Sequence, residues 1–289
     1  MFTLHNGDCL QVMPSIPSGS IDAIITDLPY GTTACKWDTV IEFAPMWKEV
    51  KRVLKPNGAF ITTASQPFTS ILINSNLAQF KCNWYWNKGK GGNFATAKYQ
   101  PLRVIEDIVV FCEGKSTYNP QMELANIENI RPRDKAYKQR EGDTTHGIAS
   151  KVFAVSKNHD ETMRYPKNLI EIKSTEKECN NVNRIHRTQK PVALYEYLIK
   201  TYTNEGETVL DICMGSGTTI EAAERTGRNS IGIEKDEGIF QTAVLRLNPF
   251  TPSNNRLHSD VGDSPAQQAL FTPEADTAEG KLPAPAPRR

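Results

Sequence analysis

The chain has 289 residues, a net charge of +1 and 38% hydrophobic residues, which is enough to bury a sizeable core in one or two domains. No apolar run approaches the ~20 residues that a membrane-spanning helix needs, and the first residues lack a basic segment followed by an apolar one, so we expect no membrane partner and a cytoplasmic location. The six cysteines form no Cys-x-x-Cys pair, which argues against a zinc site and a disulfide framework.

The first part of the chain predicts alternating strands and helices. The apolar run Ala23–Ile25 stops at Asp27-Leu28-Pro29-Tyr30, which is typical of a buried parallel strand. Because ligands collect where parallel strands end, Asp27 and Tyr30 are candidates for chemistry, and an ordinary strand-to-turn exit is the alternative. The same patterns predict strands over 2–4, 59–63, 82–86 and 106–111, and helices over 43–54, which ends at the turn 55–58, and 68–77.

Two loops of this part hold further candidates. Gly7-Asp8 places a carboxylate after the first predicted strand. The basic, glycine-rich stretch 87–94 lacks the spacing of a phosphate-binding loop, and we predict a mobile loop that contacts nucleic acid.

The middle of the chain is basic and lacks a clear hydrophobic period. Residues 114–190 hold 15 Lys and Arg against 10 Asp and Glu, whereas residues 191–250 hold 5 against 9. A basic segment in a nearly neutral protein is typical of a surface that binds a polyanion, and a solvated face is the alternative. Long structureless loops are rare in compact proteins, so an inserted small domain is expected here.

The segment that follows the basic middle of the chain predicts a pocket for a nucleoside cofactor. Asp211 ends a predicted strand, Gly215 and Gly217 follow in the turn before a helix, and Glu234 follows Gly217 by 17 residues, where an acidic residue binds ribose hydroxyls. A carboxylate at Asp211 suits a cofactor with an ammonium group and would repel a pyrophosphate. Asp211 as a helix cap or turn residue is the alternative.

The hydrophobic patterns of this segment also predict strands over 208–211 and 230–234, and helices over 192–202, 220–225 and 239–247.

Taken together, Asp27–Tyr30 and the later loop Asp211–Thr218 resemble the amino-methyltransferases that modify DNA with S-adenosylmethionine. The catalytic tetrapeptide precedes the cofactor loop, as in the circularly permuted beta class of that family. Leu28 replaces the family's first proline, and Ile212-Cys213 replaces its usual Pro-Phe. The likeness extends to Gly7-Asp8, Leu54–Gly58, Glu106–Phe111 and His186–Pro191.

The resemblance implies an α/β fold, a Rossmann-like methyltransferase sheet that is circularly permuted. Its catalytic and cofactor-binding domain would comprise residues 1–113 and 188–250, interrupted by a target-recognition segment, 114–187. Residues 251–289, rich in Pro, Ala, Ser and Thr, are expected to form a disordered tail.

The resemblance also assigns roles to the candidate residues. Asp27 and the carbonyl of Leu28 would accept hydrogen bonds from the target amine, with Pro29 completing the tetrapeptide and Tyr30 stacking on the base. S-adenosylmethionine would be bound at its adenine by Asp8, at its ribose by Glu234 and at its methionine end by Asp211. The cofactor loop would add Gly215, Ser216, Gly217 and Thr218. DNA contacts are predicted at Trp37, Lys88, Asn93 and Phe94, with core packing the alternative for Phe94.

The function implied is methyl transfer to the N6 amine of an adenine flipped out of duplex DNA. Cytosine-N4 methylation is the alternative, although the family's cytosine enzymes more often begin the tetrapeptide with Ser. Methylation of RNA or of a protein glutamine, and a DNA-binding regulator with impaired catalysis, also stay open. A dehydrogenase is disfavoured because Ile220 stands where the third glycine of the dinucleotide motif belongs. Duplex DNA is the expected partner, and the resemblance further suggests a cognate restriction endonuclease and a homodimer.

Overall fold

The computed structural model describes residues 1–32, 38–125, 162–173 and 189–248, all of which lie within one unit, Met1–His258. Trp37, two internal parts of the predicted target-recognition segment and the predicted tail 251–289 lie outside the described residues. None of the helices in the described ranges has both the length and the apolar character that crossing a membrane requires.

The main feature is a mixed sheet of eight strands among the described residues. In chain order, the ten strands of the described residues, eight of them in this sheet, are β1 (Phe2–Asn6), β2 (Ile21–Asp27), β3 (Leu54–Ala64), β4 (Phe80–Gly92), β5 (Arg103–Phe111), β6 (Glu123–Leu124), β7 (Met163–Arg164), β8 (Leu169–Glu171), β9 (Thr208–Asp211) and β10 (Asn229–Glu234). The order in the sheet is β1-β10-β9-β2-β3-β5-β4-β8, while β6 and β7 form a separate antiparallel pair. Only β5 runs antiparallel to its neighbours in the sheet as described.

Helices cover both faces of this sheet. They are α1 (Cys9–Val12), α2 (Phe43–Val53), α3 (Phe68–Ser75), α4 (Val192–Tyr202), α5 (Thr218–Arg225) and α6 (Glu237–Leu247), with short 3₁₀ turns at Met13–Ser15 and Phe94–Thr96. Ala23 and Ile25 of β2 join the apolar cluster of α4 and α5, whereas Ile24 joins that of α1, α2 and α3. Because successive strand residues face opposite sides, a strand covered on both sides is apolar throughout, which explains the continuous run in β2.

The order of the strands places two carboxylates side by side. The chain passes from β9 to β10 on one side and from β2 to β3 on the other, so the crossing directions reverse between β9 and β2. These two strands run parallel, with Ile24 opposite Leu210. Open α/β sheets bind ligands at such a switch point, beyond the carboxyl ends of the strands. Asp27 and Asp211 end these two strands.

The predicted α/β fold and its helices and strands are confirmed, with two local corrections. The turn predicted over 55–58 is the irregular start of β3, where Leu54 pairs with Ile21 and Ala59 already pairs with Ala23. The prediction of a mobile loop over 87–94 is wrong for residues 87–92, because β4 continues to Gly92, which pairs with Arg103 of β5 after an irregularity. Within the predicted target-recognition segment, β8 pairs with β4 in the main sheet; the domain boundaries and the circular permutation stay predictions.

Arg52 joins α2 to the turn after α1, and its replacement should destabilise the fold. Its guanidinium donates to the carbonyl oxygens of Met13, at 2.6 Å, and Ile16, at 2.8 Å. Arg52→Met keeps an apolar stem but leaves both acceptors without this partner, so urea unfolding should show a loss of about 1–3 kcal/mol. Lys51→Met is the matched control, because the Lys51–Glu113 ion pair is 62% exposed on both sides and such pairs contribute about 0–1 kcal/mol. Equal losses in the two variants would contradict this account of Arg52.

Candidate functional site

A cavity of about 630 Å³ opens at the carboxyl ends of β1, β2, β9 and β10. This volume is in the range of pockets that hold a drug-sized ligand. Most of the residues predicted to bind a cofactor or a target amine line this one cavity: Asp8, Asp27, Leu28, Pro29, Tyr30, Asp211, Gly215, Ser216, Thr218 and Glu234. Gly217 is the exception.

Asp27, at the end of β2, is held by three side chains. Its Oδ1 accepts hydrogen bonds from the hydroxyl of Tyr30, at 2.9 Å, and from that of Thr63. Its Oδ2 lies 2.6 Å from Nζ of Lys190. The Asp27 side chain is 27% exposed, so the carboxylate is fixed in orientation and still reachable from the cavity.

A second carboxylate, Glu106 of β5, shares two of these partners. Its Oε1 lies 3.1 Å from both the Tyr30 hydroxyl and Nζ of Lys190, and its Oε2 lies 3.3 Å from Nζ of Lys88. Burial alone would lower the pKa of Lys190, but the attraction of Asp27 and Glu106 outweighs burial and raises it above its ordinary value. Burial and the same two negative charges raise the pKa of Tyr30 well above its ordinary value. At neutral pH, Lys190 is therefore a cation and Tyr30 a neutral donor.

Asp211, at the end of the adjacent strand β9, is 2% exposed. Its Oδ1 accepts hydrogen bonds from Oγ1 of Thr26, at 2.7 Å, and from the Cys213 N–H, at 3.0 Å. Burial raises the pKa of Asp211 to about 6, although hydrogen bonds from Thr219, Thr26 and the Cys213 N–H act in the opposite direction. Within the described residues no lysine or arginine pairs with this carboxylate, which makes it suited to a cationic ligand group.

Glu234 ends β10 and turns back over the glycine loop. Its Oε2 accepts from the Gly215 N–H at 3.0 Å, and its Oε1 accepts from the Asp236 N–H at 2.8 Å. Burial raises the pKa of Glu234 even though these backbone hydrogen bonds favour the charged form. The side chain is therefore fixed at the rim of the cavity by the loop that it faces.

Asp8 caps the start of α1 on the same side of the cavity. Its Oδ1 accepts from the Leu10 N–H at 2.9 Å, and its Oδ2 lies 2.9 Å from Nζ of Lys235. Partial burial alone would raise the pKa of Asp8, but the hydrogen bonds from Lys235 and Leu10 outweigh burial, so the pKa lies below its ordinary value. Asp8 is consequently ionised at neutral pH.

The loop between β9 and α5 needs glycine at two positions for different reasons. Gly215 and Gly217 have φ values of 53° and 80°, a region that favours glycine. A Cβ on Gly215 would meet open space, whereas one on Gly217 would lie 2.8 Å from Leu247. Gly217 thus allows close packing against α6, and Gly215 is the glycine that lines the cavity.

The hydroxyls of the same loop are anchored by α6. Nη1 of Arg246 donates to the carbonyl oxygen and Oγ of Ser216, at 3.0 and 3.1 Å, and to Oγ1 of Thr218, at 2.9 Å. Arg246 therefore fixes the two predicted cofactor residues from the side of the helix.

The predicted DNA residues that the structure describes, Lys88, Asn93 and Phe94, do not line the cavity. Lys88 lies against Glu106. Asn93 has a φ of 56° and holds its own turn, because its Oδ1 accepts from the Arg103 N–H at 2.8 Å. Phe94 is 70% exposed, so the alternative of core packing is wrong. Trp37 lies outside the described residues.

Several side chains of the site have no role in the sequence-based predictions, among them Thr26, Thr63, Glu106 and Lys190, which surround the two strand-end carboxylates. Glu106 and Lys190 lie in two stretches that resemble the family, and this resemblance is the signal that could have located them. Thr63 joins the site only because β3 pairs with β2 and sets it opposite Asp27.

Comparison with known proteins identifies the family of the chain. A family model described as "DNA methylase", of the N6 and N4 type, matches residues 21–245. The type II methyltransferase M.HpaI of Haemophilus parainfluenzae is 30% identical over 256 residues, which cover 83% of this chain and 72% of that protein. The type II methyltransferase M.HindIII of Haemophilus influenzae is 25% identical over 305 residues, covering 84% of this chain and 94% of that protein.

Solved structures support the same fold. The M1.HpyAVI–SAM complex matches with a TM-score of 0.57 at 24% identity, covering 86% of this chain and all of that one. The cytosine-N4-specific PvuII DNA methyltransferase matches with a TM-score of 0.58 at 19% identity, covering 88% and 90%. The chain therefore belongs to the N6 and N4 DNA methylase family, S-adenosylmethionine-dependent amino-methyltransferases of the restriction–modification type.

Proposed function

We propose that this protein transfers a methyl group to the exocyclic amine of one base in duplex DNA, with adenine N6 as the target. The observation that supports this most is the way in which the Asp27 carboxylate is hydrogen-bonded. A carboxylate offers about four lone pairs, and the contacts of Tyr30, Thr63 and Lys190 leave one of them, on Oδ2, open to the cavity. This fixed acceptor can receive one N–H of a neutral amine.

Asp27 and Leu28 would orient this amine together. The lone pair of an aromatic amine is delocalised into the ring, so the nitrogen must become pyramidal before it can attack a methyl group. Asp27 Oδ2 accepts one N–H and the carbonyl of Leu28 accepts the other, which directs the lone pair along a fixed line. After transfer, the nitrogen would carry a positive charge, which the Asp27 carboxylate stabilises until one N–H proton passes to solvent water.

The cavity also fits S-adenosylmethionine, which supplies an electrophilic methyl group on a sulfonium and bears an ammonium group at its methionine end. Asp211 is a buried carboxylate without a basic partner in the described parts of the chain, and it would bind the ammonium. Glu234 and Asp8 would accept hydrogen bonds from the ribose hydroxyls and the adenine amine. Gly215, Ser216 and Thr218 would form the wall between them.

The target base would have to leave the helix to reach this site. Asp27 lies inside a cavity bounded by Pro29, Tyr30 and Tyr195, and a base amine within a duplex is inaccessible, so enzymes of this kind extrude the nucleotide. Tyr30, stacked on Phe68 with ring centroids 5.2 Å apart, would form an aromatic wall for the base. The exposed Phe94 and the basic segment 114–187 would contact the DNA outside the cavity.

Cytosine N4 is the second candidate, because its amine presents the same chemistry and the structurally similar PvuII enzyme is cytosine-N4-specific. An Asp at position 27 favours adenine, since the family's cytosine enzymes more often have Ser there. A cognate endonuclease and a homodimer stay predictions from the resemblance.

Asp27→Ala should abolish most methylation without unfolding the protein. We expect the rate to fall by about 10² to 10³, the scale of removing one preorganised contact in a transition state. Genomic DNA from an unmodified host that expresses the protein would first be sequenced for methylated sites. Transfer of labelled methyl groups to a duplex with that site, followed by digestion to nucleosides and chromatography, gives both the rate and the base.

Asp22→Asn is the matched control for Asp27→Ala. Asp22 lies at the opposite end of β2, is 6% exposed and pairs with Lys55 at 2.7 Å. Removing its charge should therefore lower the stability of the protein and leave the methylation rate per folded molecule unchanged. Wild-type activity in Asp27→Ala would refute the mechanism. Label in cytidine would show that the target base is cytosine and not adenine.

Cofactor affinity should weaken as the pH falls through about 6. Burial raises the pKa of Asp211 to about 6, so the carboxylate is ionised above this pH and attracts an ammonium group, and is neutral below it. Calorimetry with S-adenosylmethionine between pH 5 and pH 8 would measure the change. Asp211→Asn, which keeps the acceptor oxygen, should bind more weakly and respond less to pH. An unchanged pH response in this variant would assign the effect to another carboxylate, such as Glu234.

A further inference from the structure

Lys190 has one unused donor beside the unused acceptor of Asp27. An ammonium has three N–H bonds, and Nζ of Lys190 uses one on Asp27 Oδ2, at 2.6 Å, and one on Glu106 Oε1, at 3.1 Å. The contacts recorded among the described residues give the third N–H no acceptor. Lys190 and Asp27 both line the cavity, so the pair presents one donor and one acceptor side by side.

We infer that Lys190 donates to the ring nitrogen that shares a carbon with the target amine, N1 of adenine or N3 of cytosine, while Asp27 accepts from the amine itself. The inference rests on the proposed function and adds a base-reading residue to it. An amidine edge has an N–H donor and a bare nitrogen acceptor one carbon apart, which matches the Asp27–Lys190 pair in both polarity and closeness. Thymine, with O4 next to N3–H, presents the opposite polarity at this edge.

The same contact would direct the reaction to the amine. The ring nitrogen holds its lone pair in the plane of the base and is the more nucleophilic of the two, because the amine's lone pair is delocalised. A hydrogen bond from Lys190 occupies the ring lone pair. The methyl group is then left with the exocyclic nitrogen as its acceptor.

Glu106 is a positioning residue in this arrangement. It is 9% exposed and holds both Lys190 Nζ and the Tyr30 hydroxyl at 3.1 Å. With Nζ fixed between two carboxylates, its remaining N–H points along one direction, as a specific contact with the base requires. The ammonium also lies 5.9 Å from the centre of the Tyr30 ring, which keeps it next to the proposed aromatic wall.

The test changes the base and the protein separately. The duplex with the mapped site is synthesised with adenine, 1-deazaadenine or 7-deazaadenine at the target position. Equilibrium affinity and methylation rate are measured for each. For the wild type, affinity and methylation rate should be about ten- to a hundredfold lower with 1-deazaadenine than with adenine, the range for an unpaired charged donor. With 7-deazaadenine both should change little. If cytosine proves to be the product, 3-deazacytosine takes the place of 1-deazaadenine.

Lys190→Met should bind and methylate adenine and 1-deazaadenine about equally, because the donor that distinguishes them is absent. Glu106→Gln combined with Lys190→Met removes one charge of each sign, and should show the same loss of discrimination if the single variant folds poorly. Lys55→Met breaks a lysine–aspartate pair of similar length, 2.7 Å, at the other end of β2, and this variant should discriminate as the wild type does.

Two results would overturn the inference while leaving the proposed function intact. One is a wild type that methylates the site but tolerates 1-deazaadenine or responds to 7-deazaadenine instead. The other is discrimination that persists in Lys190→Met and in the double variant. Failure of the proposed function is distinct, since no base would then be methylated by the wild type.

Discussion

The site depends on one buried lysine between two carboxylates. Asp27 and Glu106 converge at the end of the sheet, and two ionised carboxylates so close would repel each other and each lose hydration, at a cost of several kcal/mol per ion. Lys190 contacts both, at 2.6 and 3.1 Å, and offsets this cost while it fixes their orientation. Lys190 comes from a segment 163 residues away from Asp27, so the charges of the site are balanced only once the tertiary structure forms.

The sheet explains why a distant lysine and two distant loops meet at one cavity. Parallel strands deliver their carboxyl ends to one edge, and the β9–β10 and β2–β3 connections lead away from each other, which leaves a gap at that edge between β9 and β2. One side of the gap holds the glycine loop and Glu234, and the other holds the Asp27 tetrapeptide. The helix α4, whose start follows Lys190, packs across β2 and β9 in one apolar cluster. The packing that stabilises the sheet therefore also places the cation.

How far the sequence could predict this arrangement depends on what determines each residue's position. Asp27 and Asp211 follow short apolar runs, so the hydrophobic pattern alone placed them at strand ends. The charge of Asp211 already suggested an ammonium ligand, and the resemblance supplied the role proposed for Asp27. Thr63 and Glu106 could not be placed in this way, because their roles depend on which strands are neighbours. Lys88 shows the same limit, since a basic glycine-rich stretch suggests a nucleic-acid loop, while the pairing of β4 with β5 turns the side chain towards Glu106.

Thr26 and Asp27 show how closely the two halves of the site are joined. As neighbours in a strand, their side chains point to opposite faces of the sheet. Thr26 donates to Asp211 of the neighbouring strand β9, at 2.7 Å, and Asp27 accepts from Thr63 of the other neighbouring strand, β3. Thr26, which donates to the carboxylate proposed to bind the cofactor's ammonium, is thus one peptide unit away from Asp27, the carboxylate proposed to hold the target amine. Because a paired strand is stiff, the distance between the proposed positions of the methyl donor and the amine would be set by the backbone of β2 and not by a mobile loop.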